Sequence, residues 1–184
     1  RRRDVLRFGY ALEFDATVGD VEWGLHHGLA SGDAQGTFGR LTSSELPSAA
    51  PIGQKDESLT SFYFDRDYHV DMIMFRELLG GVSNATYFRP YLRYNLLNEP
   101  KEAWGFELAA IYGYALEKEA TPGRDNQLGL EFDLELFMKQ RDRFTWSLAY
   151  GVFFPMGAFN ALNADGTVQR EPDTAQSIQM MFGI

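Results

Sequence analysis

The sequence predicts an all-β fold: an antiparallel transmembrane β-barrel, about seven strands of which lie in this chain as part of a larger barrel. Three observations lead there. Seven segments alternate strictly between bulky apolar residues and small or charged ones, the period of a strand with two unlike faces. The segments run to about 10–13 residues. Globular strands usually run to about 5–6 residues, whereas a tilted strand crossing a bilayer needs about 9–11. The connections between them alternate short and long, as in membrane barrels with short periplasmic turns and longer outer loops.

In Val5–Ala16, Leu6, Phe8, Tyr10, Leu12 and Phe14 oppose Arg7, Gly9, Ala11, Glu13 and Asp15. Thr17-Val18-Gly19 forms a tight turn. In Asp20–Ala30, Val21, Trp23, Leu25, His27 and Leu29 oppose Glu22, Gly24, His26 and Gly28. Residues Ser31–Ala85 form a long connection, with Ser, Gly, Pro and Asp concentrated in its first part. In Thr86–Leu97, Phe88, Pro90, Leu92, Tyr94 and Leu96 oppose Tyr87, Arg89, Tyr91, Arg93 and Asn95. After the short Asn98–Lys101, Trp104–Leu116 sets Trp104, Phe106, Leu108, Tyr112 and Tyr114 against Gly105, Glu107, Ala109, Ile111 and Gly113. A medium connection, Glu117–Asn126, precedes the clearest segment, where Leu128, Leu130, Phe132, Leu134 and Leu136 alternate with Gly129, Glu131, Asp133 and Glu135. A helix would spread those acids around its circumference, because its period is 3.6. Past Gln140–Asp142, Phe144, Trp146, Leu148, Tyr150, Val152 and Phe154 oppose Thr145, Ser147, Ala149, Gly151 and Phe153. After the long Ala158–Asp173, the chain closes on Ile178, Met180, Phe182 and Ile184 against Ser177, Gln179, Met181 and Gly183.

The two faces decide between solvents. Seven long strands of Leu and aromatic residues would overfill a small soluble barrel. A membrane barrel turns bulky residues to lipid and small or charged ones to water. Aromatic residues Trp23, Trp104 and Tyr114 suit interface girdles, with Trp146 and Tyr150 expected farther in. His27 is a misfit on the lipid face. The segment Tyr68–Leu79 would upset the count of crossings as a strand. Asp71–Leu79 is therefore expected to be a short helix or irregular piece inside the 31–85 loop, an extracellular loop able to fold into the lumen. Seven is odd, and an open sheet would leave unpaired edges in hydrocarbon, so the chain is expected to be the C-terminal part of a larger barrel, or else the count is off by one and residues 1–184 form a single barrel domain.

Composition agrees by exclusion. With 17 Lys+Arg against 26 Asp+Glu, the net charge is -9, which excludes a basic nucleic-acid footprint. The absence of cysteine excludes disulfides, thiolate catalysis and zinc–cysteine sites. No apolar run is long enough for a transmembrane helix. The mean hydropathy of -0.30 averages two faces that meet different solvents. The opening RRRDVLRFGYALEFD places basic residues before apolar ones, as a leader does, but Arg7, Glu13 and Asp15 interrupt it, so the chain is expected to start within a folded element.

Ser177–Ile184 resembles the C-terminal insertion signal of Gram-negative outer-membrane barrels, with Phe182 two residues before the end rather than a terminal aromatic. Leu29-Ala30-Ser31-Gly32-Asp33, at the top of a strand before a long loop, resembles alginate-export-type and porin-like channels. The resemblance implies the cell outer membrane, a passive pore, outer-membrane lipid around it and recognition of the C-terminal strand by the barrel-assembly machinery. It carries over no substrate.

The expected pore-lining residues are Arg7, Glu13, Glu22, Arg89, Tyr91, Arg93, Glu107, Glu131, Asp133 and Glu135, with Asp71, Arg76 and Glu77 at a loop constriction. A basic side facing an acidic side sets ion preference in a narrow lumen, or the charges are merely solvated and paired. The stripe Glu131, Asp133, Glu135 is read as a polar lumen face rather than a cation site. The acids Asp33, Asp56, Glu57, Asp65, Asp67 and Asp165 are read as turn formers. His26 and His27 point to opposite faces and cannot share a metal. No nucleophile motif accompanies His69, so no enzyme, cofactor or metal is expected. The expected function is a channel for small polar or anionic solutes. The alternatives are a soluble β-barrel binding an apolar ligand, a plugged structural or adhesion barrel, and an outer-membrane lipase.

Overall fold

The computed structural model of the chain describes residues 6–34, 38, 60–99, 102–140 and 144–183. Its strands are β1 (Gly9–Val18), β2 (Val21–Ala30), β3 (Ala85–Glu99), β4 (Glu102–Ala115), β5 (Gln127–Gln140), β6 (Phe144–Pro155), β7 (Ala161–Leu162), β8 (Val168–Arg170) and β9 (Ala175–Gly183). Seven of them form one antiparallel sheet in the order β1-β2-β3-β4-β5-β6-β9, and β7 and β8 form a small separate hairpin in the last long connection. That hairpin has no counterpart in the alternation pattern.

The register keeps the two faces pure. Glu13 lies opposite His26, Glu22 opposite Arg93, Arg93 opposite Glu107, Glu107 opposite Glu135, and Glu135 opposite Ala149. Small and charged residues thus share one face, with Tyr87, Ile111 and Phe153 among them, and most of the bulky residues share the other. The expected barrel is not closed: among the described residues, β1 pairs only with β2 and β9 only with β6. An antiparallel run of seven leaves β1 and β9 pointing the same way, so they cannot close on each other antiparallel.

Three local features bend the pattern, one of them a β3–β4 register slip between Asn95 and Leu97. The β1–β2 turn sits one residue later than the sequence suggests, at Gly19-Asp20, with Gly19 at φ +62, a left-handed conformation that carries no Cβ penalty for glycine. The β4–β5 register slips between Gly113 and Tyr114, next to Gly129 at φ +150. This bulge turns Leu128 inward to 1% exposure, although simple alternation put it with the bulky face.

The core lies on the small-residue face, toward the long-connection end. It contains Tyr87, Ile111, Leu128 and Phe153 from the wall, with Val70, Met72, Ile73, Met74 and Phe75 from the connection between β2 and β3. That connection folds back along this face instead of standing away from it. Within it, Met74–Leu79 makes one π-helical turn, closed by the Leu78 N–H donating to Ile73 O, and Gly80 ends it at φ +73. No helix among the described residues is long and apolar enough to cross a membrane. The bulky face stays exposed across the sheet, from Leu12 at 62% on β1 to Ile178 at 72% on β9.

Candidate functional site

The site grows from the seat of the connection on the wall. Glu131 projects from β5 beneath the connection, and its carboxylate accepts three successive backbone N–H groups. Those of Met72 and Ile73 reach Oε1 at 3.0 and 2.7 Å, and that of Met74 reaches Oε2 at 2.7 Å. Asp71 takes the next two: Phe75 N–H at 2.8 Å from Oδ2 and Arg76 N–H at 3.1 Å from Oδ1. Five consecutive amides that a tight irregular turn leaves free are thereby satisfied by two buried carboxyls. Charge-assisted bonds of this kind are stronger than neutral ones.

Apolar sockets complete the seat. A Cβ on Gly113 would lie 2.8 Å from Met74 Sδ, and one on Gly151 would lie 3.1 Å from Met72 Cβ. Glycine at these positions admits the two methionines. Farther along, the Tyr68 hydroxyl donates to Glu13 at 2.8 Å and lies 2.8 Å from the Tyr87 hydroxyl. Burial first, then these two partners, pushes the Tyr68 phenol well above its ordinary range. The root of the connection is pinned by Ser31. Its hydroxyl donates to Thr60 O at 2.6 Å and accepts the Phe8 N–H at 3.1 Å, and the Thr60 hydroxyl donates to Gly32 O at 2.6 Å. The Ala-Ser-Gly step therefore ties the loop root to β1 and to the returning chain.

Beside the seat runs a row of opposed charges. Arg89 Nη2 donates to Glu107 Oε1 at 2.7 Å, Arg93 lies 3.5 Å from Glu107 Oε2, and Arg93 stacks over the Phe137 ring at 3.8 Å. A cavity of about 230 Å³ opens between this row and the connection, lined by His69, Asp71, Arg76, Arg89, Asp133 and Glu135 among others. Arg89 Nε and Asp133 Oδ1 are buried there with no hydrogen-bond partner in the structure. A second cluster lies on β1–β3: the Tyr91 hydroxyl is 2.6 Å from Asp15 and 2.9 Å from Glu22, and His26 is 2.8 Å from Asp15.

The structure brings together most of the expected residues, with changes of role. Glu22, Arg89, Tyr91, Arg93, Glu107, Asp133 and Glu135 share the small-residue face in paired rows. Glu131 is not water-facing: it is 0% exposed, because the connection covers it and uses it as an acceptor. Asp71 is likewise buried and caps its own turn. Arg76 lines the cavity, and Glu77 lies 4.0 Å from it. Glu13 is exposed at the edge strand, and Arg7 is exposed just before β1. Tyr68, Tyr87 and Ser31 join the site only through the tertiary fold, which supplies their partners.

His27, a misfit by sequence, is satisfied locally. Its Nδ1 donates to Tyr87 O at 2.7 Å, leaving Nε2 to accept from the Tyr10 hydroxyl at 3.0 Å, and its ring stacks on Phe88 at 4.3 Å. Asp65 and Asp165 cap turns, accepting the Asp67 and Thr167 N–H groups at 2.9 Å. The Thr167 contacts hold the Asp165 carboxyl below its usual range. Asp56 and Glu57 lie outside the described residues, as does Ile184. Among the described residues, no group of three His, Cys, Asp or Glu side chains is placed to hold a metal ion.

Comparisons of the chain with family models, curated proteins and solved structures return no match.

Proposed function

We propose that this chain forms part of the wall of a Gram-negative outer-membrane β-barrel channel, embedded in outer-membrane lipid, that passes small polar solutes, anions included, without catalysis. The observation that carries this reading is the bulky face. It is exposed across all seven strands, far more than the few hundred Å² of apolar patch that a soluble monomer tolerates. The tryptophans order it by height. Trp23, Trp104 and Trp146 are each the third residue of β2, β4 and β6, so all three sit at the short-turn end. Trp146 is thus at the rim, not farther in. From Trp104 to Tyr114 the chain rises about 33 Å at about 3.3 Å per residue. A tilt of about 40° reduces this to about 25 Å, the height of a barrel's apolar band.

In this reading the seated connection narrows the lumen, and solute passes along the strip of Arg89, Arg93, Glu107, Asp133 and Glu135. Further strands complete the barrel, and β9 is the element the assembly machinery reads. A plugged structural barrel is the second reading, favoured by the apolar core that the connection builds against the wall. A soluble barrel around an apolar ligand needs the bulky face inward, the reverse of its exposure here.

The test is expression of the full gene product with an export signal, followed by membrane fractionation and planar-bilayer recording. Recovery in the outer membrane with discrete conductance steps is expected. Outer-membrane recovery without conductance favours the plug. Detergent-free monomeric solubility would sink both.

A further inference from the structure

We propose that Asp71–Leu79 is a proton-linked plug, seated on the wall while Asp71, Glu131 and Asp133 together keep at least one proton and released when that proton is lost. The inference deepens the channel reading by naming a control on the same strip, and it is read on plug position rather than on conduction.

Three carboxyls meet under the plug. Glu131 and Asp133 are two residues apart on one face of β5, about 6.6 Å along the strand. Asp71 directly precedes Met72, whose N–H Glu131 holds. Their donors are unequal. Glu131 has three backbone N–H groups and Asp71 has two, so both are suited to the charged form. Asp133 has the poorest share, no more than a part in the Met72 N–H beside its direct contact with Glu131, and its Oδ1 is buried without a partner. A proton shared within the cluster therefore belongs on Asp133, beside the Glu131 carboxylate.

The surrounding charges do not replace that proton. From β3, Arg89 already gives Nη2 to Glu107 of β4, and Arg93 leans on the same carboxylate. Glu135 on β5 adds negative charge. On the connection itself, Arg76 is near Glu77, His69 lines the cavity, and Tyr68 with Tyr87 engages Glu13 of β1. The β6 residues facing the cluster, Gly151 and Phe153, carry no charge. Burial first, then the Glu131 charge, also pushes the Asp71 carboxyl above its ordinary range, as expected of a group crowded by other carboxylates.

The sign follows. Released, the carboxyls meet water and ionise at ordinary carboxylate values, so the seated state holds more protons. Seating is favoured at low pH and lost as pH rises through the seated-state value. For one proton, the ratio of seated to released plug falls about tenfold per pH unit between the released-state and the seated-state values, and levels off above the latter.

The chain has no cysteine, so labels can be placed singly. Spin labels at Glu77→Cys on the plug and Thr145→Cys on β6 report plug position in the full-length protein, in detergent or in vesicles, by pulsed electron resonance from pH 5 to pH 10. One narrow distance at acid pH, giving way to a longer and broader one at alkaline pH, is expected. Asp133→Asn, which mimics the protonated side chain, should hold the narrow distance throughout. A distribution independent of pH in the parent overturns the proposal, and so does an unchanged pH response in Asp133→Asn. If that variant does not fold, the parent series alone decides. A pH-driven shift in a protein that conducts nothing would keep the plug and refute the channel.

Discussion

Replacing Glu131 with alanine should free the plug far more than replacing Glu135 would. The carboxylate accepts three amides, two of them at 2.7 Å, and is 0% exposed. Its loss orphans three buried N–H groups, at about 1–3 kcal/mol each. Water entering the emptied volume satisfies some of them, so a net loss of about 3–4 kcal/mol in seating is expected. At about 1.4 kcal/mol per decade, local opening rises about 10²- to 10³-fold. Hydrogen exchange at fixed pH, read by mass spectrometry on peptides covering residues 68–80, measures this directly. Glu135→Ala is the control. It lies on the same face of the same strand, is half-buried and makes no hydrogen bond or ion pair recorded among the described residues. It should change protection by less than about 0.5 kcal/mol. Equal exchange in the two variants would show that methionine packing alone holds the plug, and the argument from the five amides would fail.

Three further outcomes are expected. Gly113→Leu fills the socket of Met74, where a Cβ alone would lie 2.8 Å from Sδ. Overpacking of about 1–3 kcal/mol should appear as a lower thermal midpoint in detergent, together with faster exchange over the plug. Arg89→Ala combined with Arg93→Ala leaves Glu107, 17% exposed, without either partner, and should move reversal potentials in a salt gradient toward cation preference. Plug protection, corrected for intrinsic exchange, should fall as pH rises and not as it falls. The Asp71 carboxyl is raised by burial first and by Glu131 next, and a raised acid stabilises the packed state below its ordinary value and loses that contribution through the raised one.

The sheet was legible because its information is local. Alternation in β5 and β6 names the face of nearly every residue, and the short turns fix which strands are neighbours. The exception is Leu128, where a slip beside Gly129 reverses the side, and a period of two cannot reveal an extra residue. The charged face was legible as a set but not as a site. Glu131, Asp133 and Glu135 look alike in sequence, spaced evenly on one side of one strand. What separates them is the connection from more than fifty residues earlier, which buries the first, crowds the second and leaves the third half-open. The signal for that pairing was present in Val70–Phe75, an apolar run broken by Asp71 inside an otherwise polar loop. It named a buried segment without naming its partner. His27 was illegible for the same reason: its donor and acceptor needs are met across strands, by Tyr87 O and Tyr10.

The small-residue face changes character along its height, and the connection explains where. Toward the long-connection end, Ala30, Ala85, Ala115, Gly113 and Gly129 are small and buried. In an open tube such residues would simply widen the lumen. Here they are the floor of a core, because Met72, Met74 and Phe75 fill the space above them. Below that core the face turns charged, with Arg93 between Glu22 and Glu107, and Lys139 opposite Thr145 toward the short turns. The boundary falls at Glu131, whose carboxylate secures three amides of the turn. On the channel reading, a path past the plug runs where the β3 arginines face the β4 and β5 acids. Width and charge are set by the same few residues, so a displacement of this turn alters both together.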